Sequence, residues 1–236
     1  MLSLLRTAKG QVLYDPERLP SPSPDLFCAE KWPDRRTVKS GRGEVHFVVS
    51  GSTTWVLKAY RRGGLVQRLF RHSYLFLGYA NTRMFRELNL LGDLWSKNVP
   101  VPRPIAAFAE RTGLRYQGFI LVESLDGTES LAEVLLQRRL PRQRWAAVGH
   151  CIARLHREGV NHRDLNASNI LLGDDAVWLI DFDGCRRQRF FLPLACTLNL
   201  RRLRRSLQKL TTQGADIQPQ DWSALVSAYQ AALKTL

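Results

Sequence analysis

Two short segments constrain this chain more than anything else in it: His162-Arg163-Asp164-Leu165-Asn166-Ala167-Ser168-Asn169, and Leu179-Ile180-Asp181-Phe182-Asp183-Gly184, with Asp181 twelve positions after Asn169. Between them, residues 169–172 and 177–180 are β-prone and are separated by Gly173-Asp174-Asp175, which predicts a hairpin that sets the two loops side by side. Asn169 and Asp181 then offer oxygen ligands from adjoining loops. Mg²⁺ takes such ligands, typically one or two carboxylates with water and phosphate oxygens completing the shell. Asp164 is a carboxylate suited to orient a hydroxyl and accept its proton. Singly, Asp and Asn after a helix are most often turn formers. In this order and spacing they suit phosphoryl transfer from a nucleotide to a hydroxyl.

The first segment carries the protein-kinase pattern H-R-D-L-x-x-x-N, and the second begins like D-F-G. Asp183 stands where the second pattern has Gly, either helping with metal or substrate or capping a turn. His162 and Arg163 are expected to support the loop rather than do chemistry. A kinase also needs a cation on the α- and β-phosphates, held by a partner carboxylate. Val56-Leu57-Lys58 on a predicted strand offers Lys58, and Phe85-Arg86-Glu87 on the following helix offers Glu87. Gly41 and Gly43, in Gly41-Arg42-Gly43, are candidates for a loop covering the phosphates. Glu123-Ser124-Leu125 is a candidate for binding the adenine edge through the backbone of Glu123 and Leu125.

Residues 15–36 contain five prolines and read as extended or loosely ordered. Residues 44–50 and 53–60 form a predicted hairpin around Ser50-Gly51-Ser52. Residues 82–97 have helical spacing, with Phe85, Leu88, Leu91 and Trp95 on one face. Residues 119–123 read as a buried strand. Ser130-Leu131-Ala132-Glu133 is a capping box that starts a helix. A second helix runs from about Pro141 to Glu158, with Trp145, Val148, Ile152 and Leu155 as its core stripe and Gly159 as its cap. Two further helices follow, one with Leu200, Leu203, Leu207 and Leu210 on a face, the other with Trp222, Leu225, Val226, Tyr229 and Leu233. Strands first and helices later predict an α+β, protein-kinase-like, two-lobed fold. The division is a lead-in over 1–36, a β-rich nucleotide-binding lobe over 37–125, and a shortened helical lobe over 126–236 for catalysis and acceptor binding.

Composition adds a partner class. Lys plus Arg number 35 against 21 Asp plus Glu, a formal net charge of +14 that favours polyanionic partners. No nucleic-acid recognition motif accompanies it, so nucleic acid is not the expected partner. Arg186, Arg187, Arg189, Arg201, Arg202, Arg204, Arg205 and Lys209 follow the second motif with no acidic residue among them. They fit an anionic headgroup surface, or are simply solvated while the leucines pack inside. The four cysteines form no CxxC pair and read as reduced thiols. No run approaches the length of a membrane span.

Lys58-Ala59-Tyr60-Arg61-Arg62-Gly63-Gly64-Leu65, the aromatic insert with Tyr74-Leu75-Phe76, Thr82-Arg83, Phe85-Arg86-Glu87 and Val99-Pro100-Val101-Pro102-Arg103-Pro104 join the two motifs in one order. Over about residues 37–185 the chain resembles the 3-deoxy-D-manno-octulosonic acid (Kdo) kinase family. The resemblance implies an enzyme that uses ATP and Mg²⁺ to phosphorylate the 4-hydroxyl of the Kdo sugar on a lipid A precursor. It implies a peripheral location on the cytoplasmic face of the inner membrane, against an anionic surface, with Asp164 as active-site aspartate. Fifty-five residues follow Asp181 and contain no Ala-Pro-Glu element, which favours a small or lipid-linked acceptor over a protein. The rival readings are a heptose kinase of the same glycolipid core, a protein kinase, and a catalytically silent membrane-associated scaffold.

Overall fold

The computed structural model describes residues 1–40, 43–60, 74–188 and 192–234. They form two compact units. The first comprises Met1–Asp93 and Pro102–Asp126, the second Leu94–Val101 and Gly127–Leu236.

The first unit is built on one antiparallel sheet. Its strands are β1 (Ser3–Arg6), β2 (Gly10–Tyr14), β3 (Arg35–Ser40), β4 (Gly43–Ser50), β5 (Thr53–Ala59), β6 (Tyr74–Leu75), β7 (Pro104–Thr112) and β8 (Arg115–Glu123), with α1 (Arg83–Ser96) between β6 and β7. The order is β1-β2-β7-β8-β5-β4-β3, and β6 adds to β8. The β4–β5 hairpin turns at Gly51, whose φ of +60° suits a residue without Cβ. Met84 and Leu88 of α1 are fully buried, and Gly118 of β8 leaves the space that Met84 fills. The helix buries Leu94 rather than the predicted Trp95, which is 42% exposed. Positions 84, 88, 91 and 94 are separated by steps of four, three and three, and the closing step of three brings Leu94 rather than Trp95 onto the buried stripe.

The expected lead-in is part of this unit. β1 and β2 extend the sheet, and Leu19, Phe27 and Ala29 join Val12, Val48, Trp55, Leu57, Phe108 and Leu121 in one core cluster. Phe27 packs on Phe108 with ring centroids 5.5 Å apart, and Trp32 meets Trp55 edge-on at 6.0 Å. The prolines misled because Pro24 opens a short 3-10 turn at Pro24–Phe27, capped by the Ser23 side chain, rather than an open stretch.

The second unit is mainly helical. β9 (Glu129–Ser130) leads into α2 (Leu131–Gln137), where Ser130 and Glu133 make the predicted capping box. Then come α3 (Arg142–Arg157), β10 (Val160–Asn161), β11 (Ile170–Leu172), β12 (Val177–Leu179), β13 (Arg186–Arg187), α4 (Leu192–Thr212) and α5 (Pro219–Lys234). Trp145, Val148, Ile152 and Leu155 of α3 are all fully buried, and Gly159 ends the helix region at φ +70°. Leu203, Leu207 and Leu210 of α4 are buried in this unit, as are Leu225 and Tyr229 of α5.

Two features of the helical packing carry measurable consequences. A Cβ added at Gly149 of α3 would stand 2.2 Å from the Leu225 carbonyl oxygen and 3.0 Å from the Tyr229 nitrogen of α5. Gly149→Ala, which gains about 1 kcal/mol of helix propensity at an exposed site, is therefore expected to lower Tm. The overpacking against backbone lies toward the upper end of about 1–3 kcal/mol. Thermal unfolding checks this, and an unchanged or raised Tm would contradict it.

His156 of α3 lies 2% exposed between Tyr229 of α5 and Asn199 of α4, with ring contacts of 2.9 and 3.0 Å. Asn199 Oδ1 is an acceptor, so His156 Nε2–H donates to it and the Tyr229 hydroxyl donates to Nδ1. Burial pushes the His156 pKa from 6.5 down to about 4, against the opposing effect of its hydrogen bond to Asn199. The folded pKa is the lower one, so unfolded chain takes up a proton first as pH falls. Stability is fully present above the unfolded pKa and drains toward the folded one. Unfolding free energy should drop by about 2 kcal/mol from pH 7.5 to pH 5 through this group. Urea titrations of the wild type and His156→Gln should show a flatter pH dependence in the variant; equal slopes would remove His156 as the cause.

Candidate active site

The second unit holds both sequence motifs. Residues 162–169 leave β10 as an irregular loop closed by a 3-10 turn at Ala167–Asn169. Asn166 caps that turn: its Oδ1 accepts from the N–H groups of Ser168 at 2.8 Å and Asn169 at 3.2 Å. Asn169 Nδ2 donates to the Asp164 carbonyl at 2.9 Å. This turns the amide so that Oδ1 is the atom left for a ligand. The Asp164 side chain is 60% exposed.

β11 and β12 pair antiparallel with Ile170 opposite Leu179, as the predicted hairpin requires. One step beyond, the Ile180 N–H donates to the Asn169 carbonyl at 3.0 Å. The Ile180 carbonyl is 3.0 Å from His162 Nε2, and a carbonyl only accepts, so Nε2 carries the proton. Ile180 thus ties the two loops through both of its backbone groups, and Asn169 and Asp181 flank the junction. His162 is fully buried, and burial lowers its pKa against the raising fields of Asp181 and Asp164. The neutral ring packs edge-on to Phe182 at 5.0 Å. Its place is in the loop's framework, as expected.

Asp181 adopts φ +64°, the left-handed region that short polar side chains tolerate and that is enriched at functional sites. The departure at Asp183 has a local explanation. The Cys185 N–H bonds the Phe182 carbonyl at 2.9 Å, and Gly184 takes φ +72°. The glycine this turn needs is present one position later, and Asp183 sits on the turn.

A magnesium ion fits what these residues provide. Among the described residues no group of three or more His, Cys, Asp or Glu forms a metal cage. One amide oxygen and one carboxylate on adjoining loops are the sparse set that Mg²⁺ uses when nucleotide phosphates and water supply the rest.

Three residues of α4 serve this loop and were not singled out from the sequence. Asn199 Oδ1 accepts from the His162 N–H at 3.1 Å, and its Nδ2 donates to the His162 carbonyl at 2.8 Å and to Asn161 Oδ1 at 2.7 Å. Arg202 Nη1 lies 3.4 Å from Asp164 Oδ1. Ser206 Oγ accepts from the Ala167 N–H at 3.1 Å. Positions 199, 202 and 206 share a helix face. The available signal was Asn199 and Ser206 on that face beside the buried Leu203, Leu207 and Leu210.

In the first unit Lys58 lies on β5, opposite Val45 of β4 and Ile120 of β8. Its ammonium is 5.9 Å from the centroid of the Tyr60 ring. The Tyr60 hydroxyl donates to Glu87 Oε2, and Glu87 on α1 is 6% exposed. A tyrosine therefore stands with the predicted lysine and glutamate; being aromatic and next to a strand, it read as core in the sequence. Gly43 begins β4 opposite Ser40, while Gly41 and residues 61–73 lie outside the described residues, as does Arg189. The Glu123 N–H donates to the Arg103 carbonyl, and its carboxylate pairs with Arg18 at 2.8 Å. The Ser124 N–H is taken by Thr54. An adenine edge would therefore meet the Glu123 carbonyl rather than its N–H.

Comparison with known proteins gives the family. The family model described as "Lipopolysaccharide kinase (Kdo/WaaP) family" matches residues 32–229. A 3-deoxy-D-manno-octulosonic acid kinase of Vibrio parahaemolyticus is 41% identical over 192 residues, covering 80% of this chain and 81% of the relative. One from Stenotrophomonas maltophilia is 41% identical over 234 residues, covering 94% and 90%. One from Xanthomonas oryzae is 42% identical with the same coverage. Among solved structures, "WaaP in complex with acyl carrier protein" superposes with TM-score 0.60 at 18% identity, over 88% of this chain and 83% of that one. The fold is protein-kinase-like, and the chain belongs to the lipopolysaccharide kinase (Kdo/WaaP) family.

Proposed function

We propose that this chain transfers the γ-phosphoryl group of ATP to the 4-hydroxyl of the Kdo sugar on a lipid A precursor. The observation that carries the reading is the state of the catalytic loop. Asp164 points an exposed carboxylate outward while its own carbonyl is held by Asn169, the neighbour of the Asp181 loop. The acceptor hydroxyl gives its proton to Asp164 as its oxygen bonds to phosphorus. The bond to the β-phosphate oxygen breaks and ADP leaves. Asn169 and Asp181 would hold magnesium, which would neutralise charge on the phosphate oxygens. Lys58 steadies the α- and β-phosphates, and Glu87, bridged by Tyr60, positions it. Gly41 and Gly43 cover the phosphates, and the backbone at Glu123 and Leu125 binds adenine. The relatives named as Kdo kinases support Kdo as acceptor over heptose.

Transfer of labelled γ-phosphate to a Kdo-lipid A precursor tests this directly. Asp164→Asn should keep the fold and lose roughly a hundredfold to ten-thousandfold in rate. A variant as active as the wild type would remove Asp164 from its role. Labelling of heptose but not Kdo acceptors would reassign the substrate.

We also propose a peripheral location on the cytoplasmic face of the inner membrane. No helix among the described residues is long and apolar enough to cross a membrane. The leucine face predicted for α4 is not the surface involved, since Leu203, Leu207 and Leu210 are buried in the second unit. Leu194 and Leu198 are instead 56% and 50% exposed, and the exposed Arg201 and Arg205 continue their helical face. Apolar side chains followed by guanidinium groups suit an interface with anionic headgroups. Wild type should float with vesicles containing anionic lipid and not with neutral ones, and Leu194→Ser with Leu198→Ser should weaken that binding. Equal flotation with both lipids, or none with either, would refute the location.

A further inference from the structure

We propose that Arg202 recognises the carboxylate of the acceptor sugar and so selects an acidic sugar over a neutral one. The inference rests on the proposed Kdo acceptor and names the group that reads it.

The α4 stripe addresses the catalytic loop residue by residue. Asn199 holds the backbone of His162 and Ser206 holds the N–H of Ala167. Midway, Arg202 stands 3.4 Å from Asp164 Oδ1, with its side chain 45% exposed and the Asp164 side chain 60% exposed. The bonds on either side fix this face of α4 toward the loop, so Arg202 is held beside the base and remains accessible. It comes from a different element than Asn169 and Asp181, which mark the place of the donor phosphates.

A hydroxyl about to lose its proton lies within hydrogen-bond reach of Asp164. A group that the acceptor carries on the α4 side of that hydroxyl therefore meets the Arg202 guanidinium. A guanidinium binds carboxylates through two parallel N–H donors. In an octulosonic acid the carboxylate is attached to carbon 2, separated from the hydroxyl-bearing carbon 4 by the single deoxy carbon of the ring. The base and the arginine then engage two groups of one sugar. A heptose has no carboxylate and offers Arg202 only neutral hydroxyl acceptors. The γ-phosphate of the donor is the other anion that approaches Asp164, and it sets the alternative outcome of the test.

The experiment compares two acceptors, Kdo-lipid A precursor and its Kdo methyl ester, on the wild type, Arg202→Met and Arg202→Lys. The wild type should prefer the acid by roughly tenfold to a hundredfold in kcat/KM, the scale of a charged hydrogen bond lost. Arg202→Met should bring the acid down to the level of the ester and leave the KM for ATP unchanged. Arg202→Lys should restore part of the preference. Equal losses on acid and ester, with the preference kept, would overturn the inference in favour of a γ-phosphate or structural role. No loss, or no preference in the wild type, would overturn it too. If the wild type labels neither acceptor, the Kdo reading itself fails and the inference with it, a result distinct from all of these.

Discussion

Residues 161 to 169 pass from a two-residue strand into a loop and a single 3-10 turn, so their backbone N–H and C=O groups find little partnership among themselves. The side-chain amide of Asn199 supplies a reciprocal pair, accepting from the His162 N–H and donating to the His162 carbonyl. A buried backbone group left without a partner costs about 1–3 kcal/mol, so this one side chain holds the loop at its buried end. Asn199 is itself fixed by the His156 Nε2–H, and His156 by the Tyr229 hydroxyl. The position of Asp164 thus depends on packing among α3, α4 and α5, on residues that touch no reactant.

The same economy appears in the loop that carries Asp181. Ile180 is an apolar residue with a chemical task performed by its backbone, its N–H bound to Asn169 and its carbonyl to His162. With both groups held, Asp181 next to it is confined to a left-handed conformation, at a local cost of order 1–3 kcal/mol that such over-determined sites sustain. The His162 ring, neutral and buried against Phe182, closes the assembly. In the first unit an analogous arrangement links Tyr60 to the buried Glu87, beside Lys58.

The parts that were legible and those that were not separate by sequence distance. The β4–β5 hairpin, the Ser130 capping box, the α3 stripe and the β11–β12 hairpin depend on neighbours a few residues away, and their signals are local. Residues 1–36 looked like an open lead-in because proline frequency describes local backbone. Burial of Phe27 against Phe108 is decided by residues more than eighty positions apart. Leu200, Leu203, Leu207 and Leu210 were readable as an apolar stripe, but periodicity does not say whether protein or lipid covers it. The buried Leu203, Leu207 and Leu210 answer for protein, and the exposed Leu194 and Leu198 carry the remaining apolar surface.

The candidate phosphoryl-transfer residues were legible in the sequence itself, because Asp164 and Asn169 lie on one loop and Asp181 on a second that a single hairpin joins to it. Among eight basic residues after the second motif, the sequence could not single out Arg202: charge is a property of a residue, whereas facing Asp164 is a property of the helix that carries it. That choice was made by tertiary structure, through the long-range bonds of Asn199 and Ser206 that set which face of α4 meets the loop.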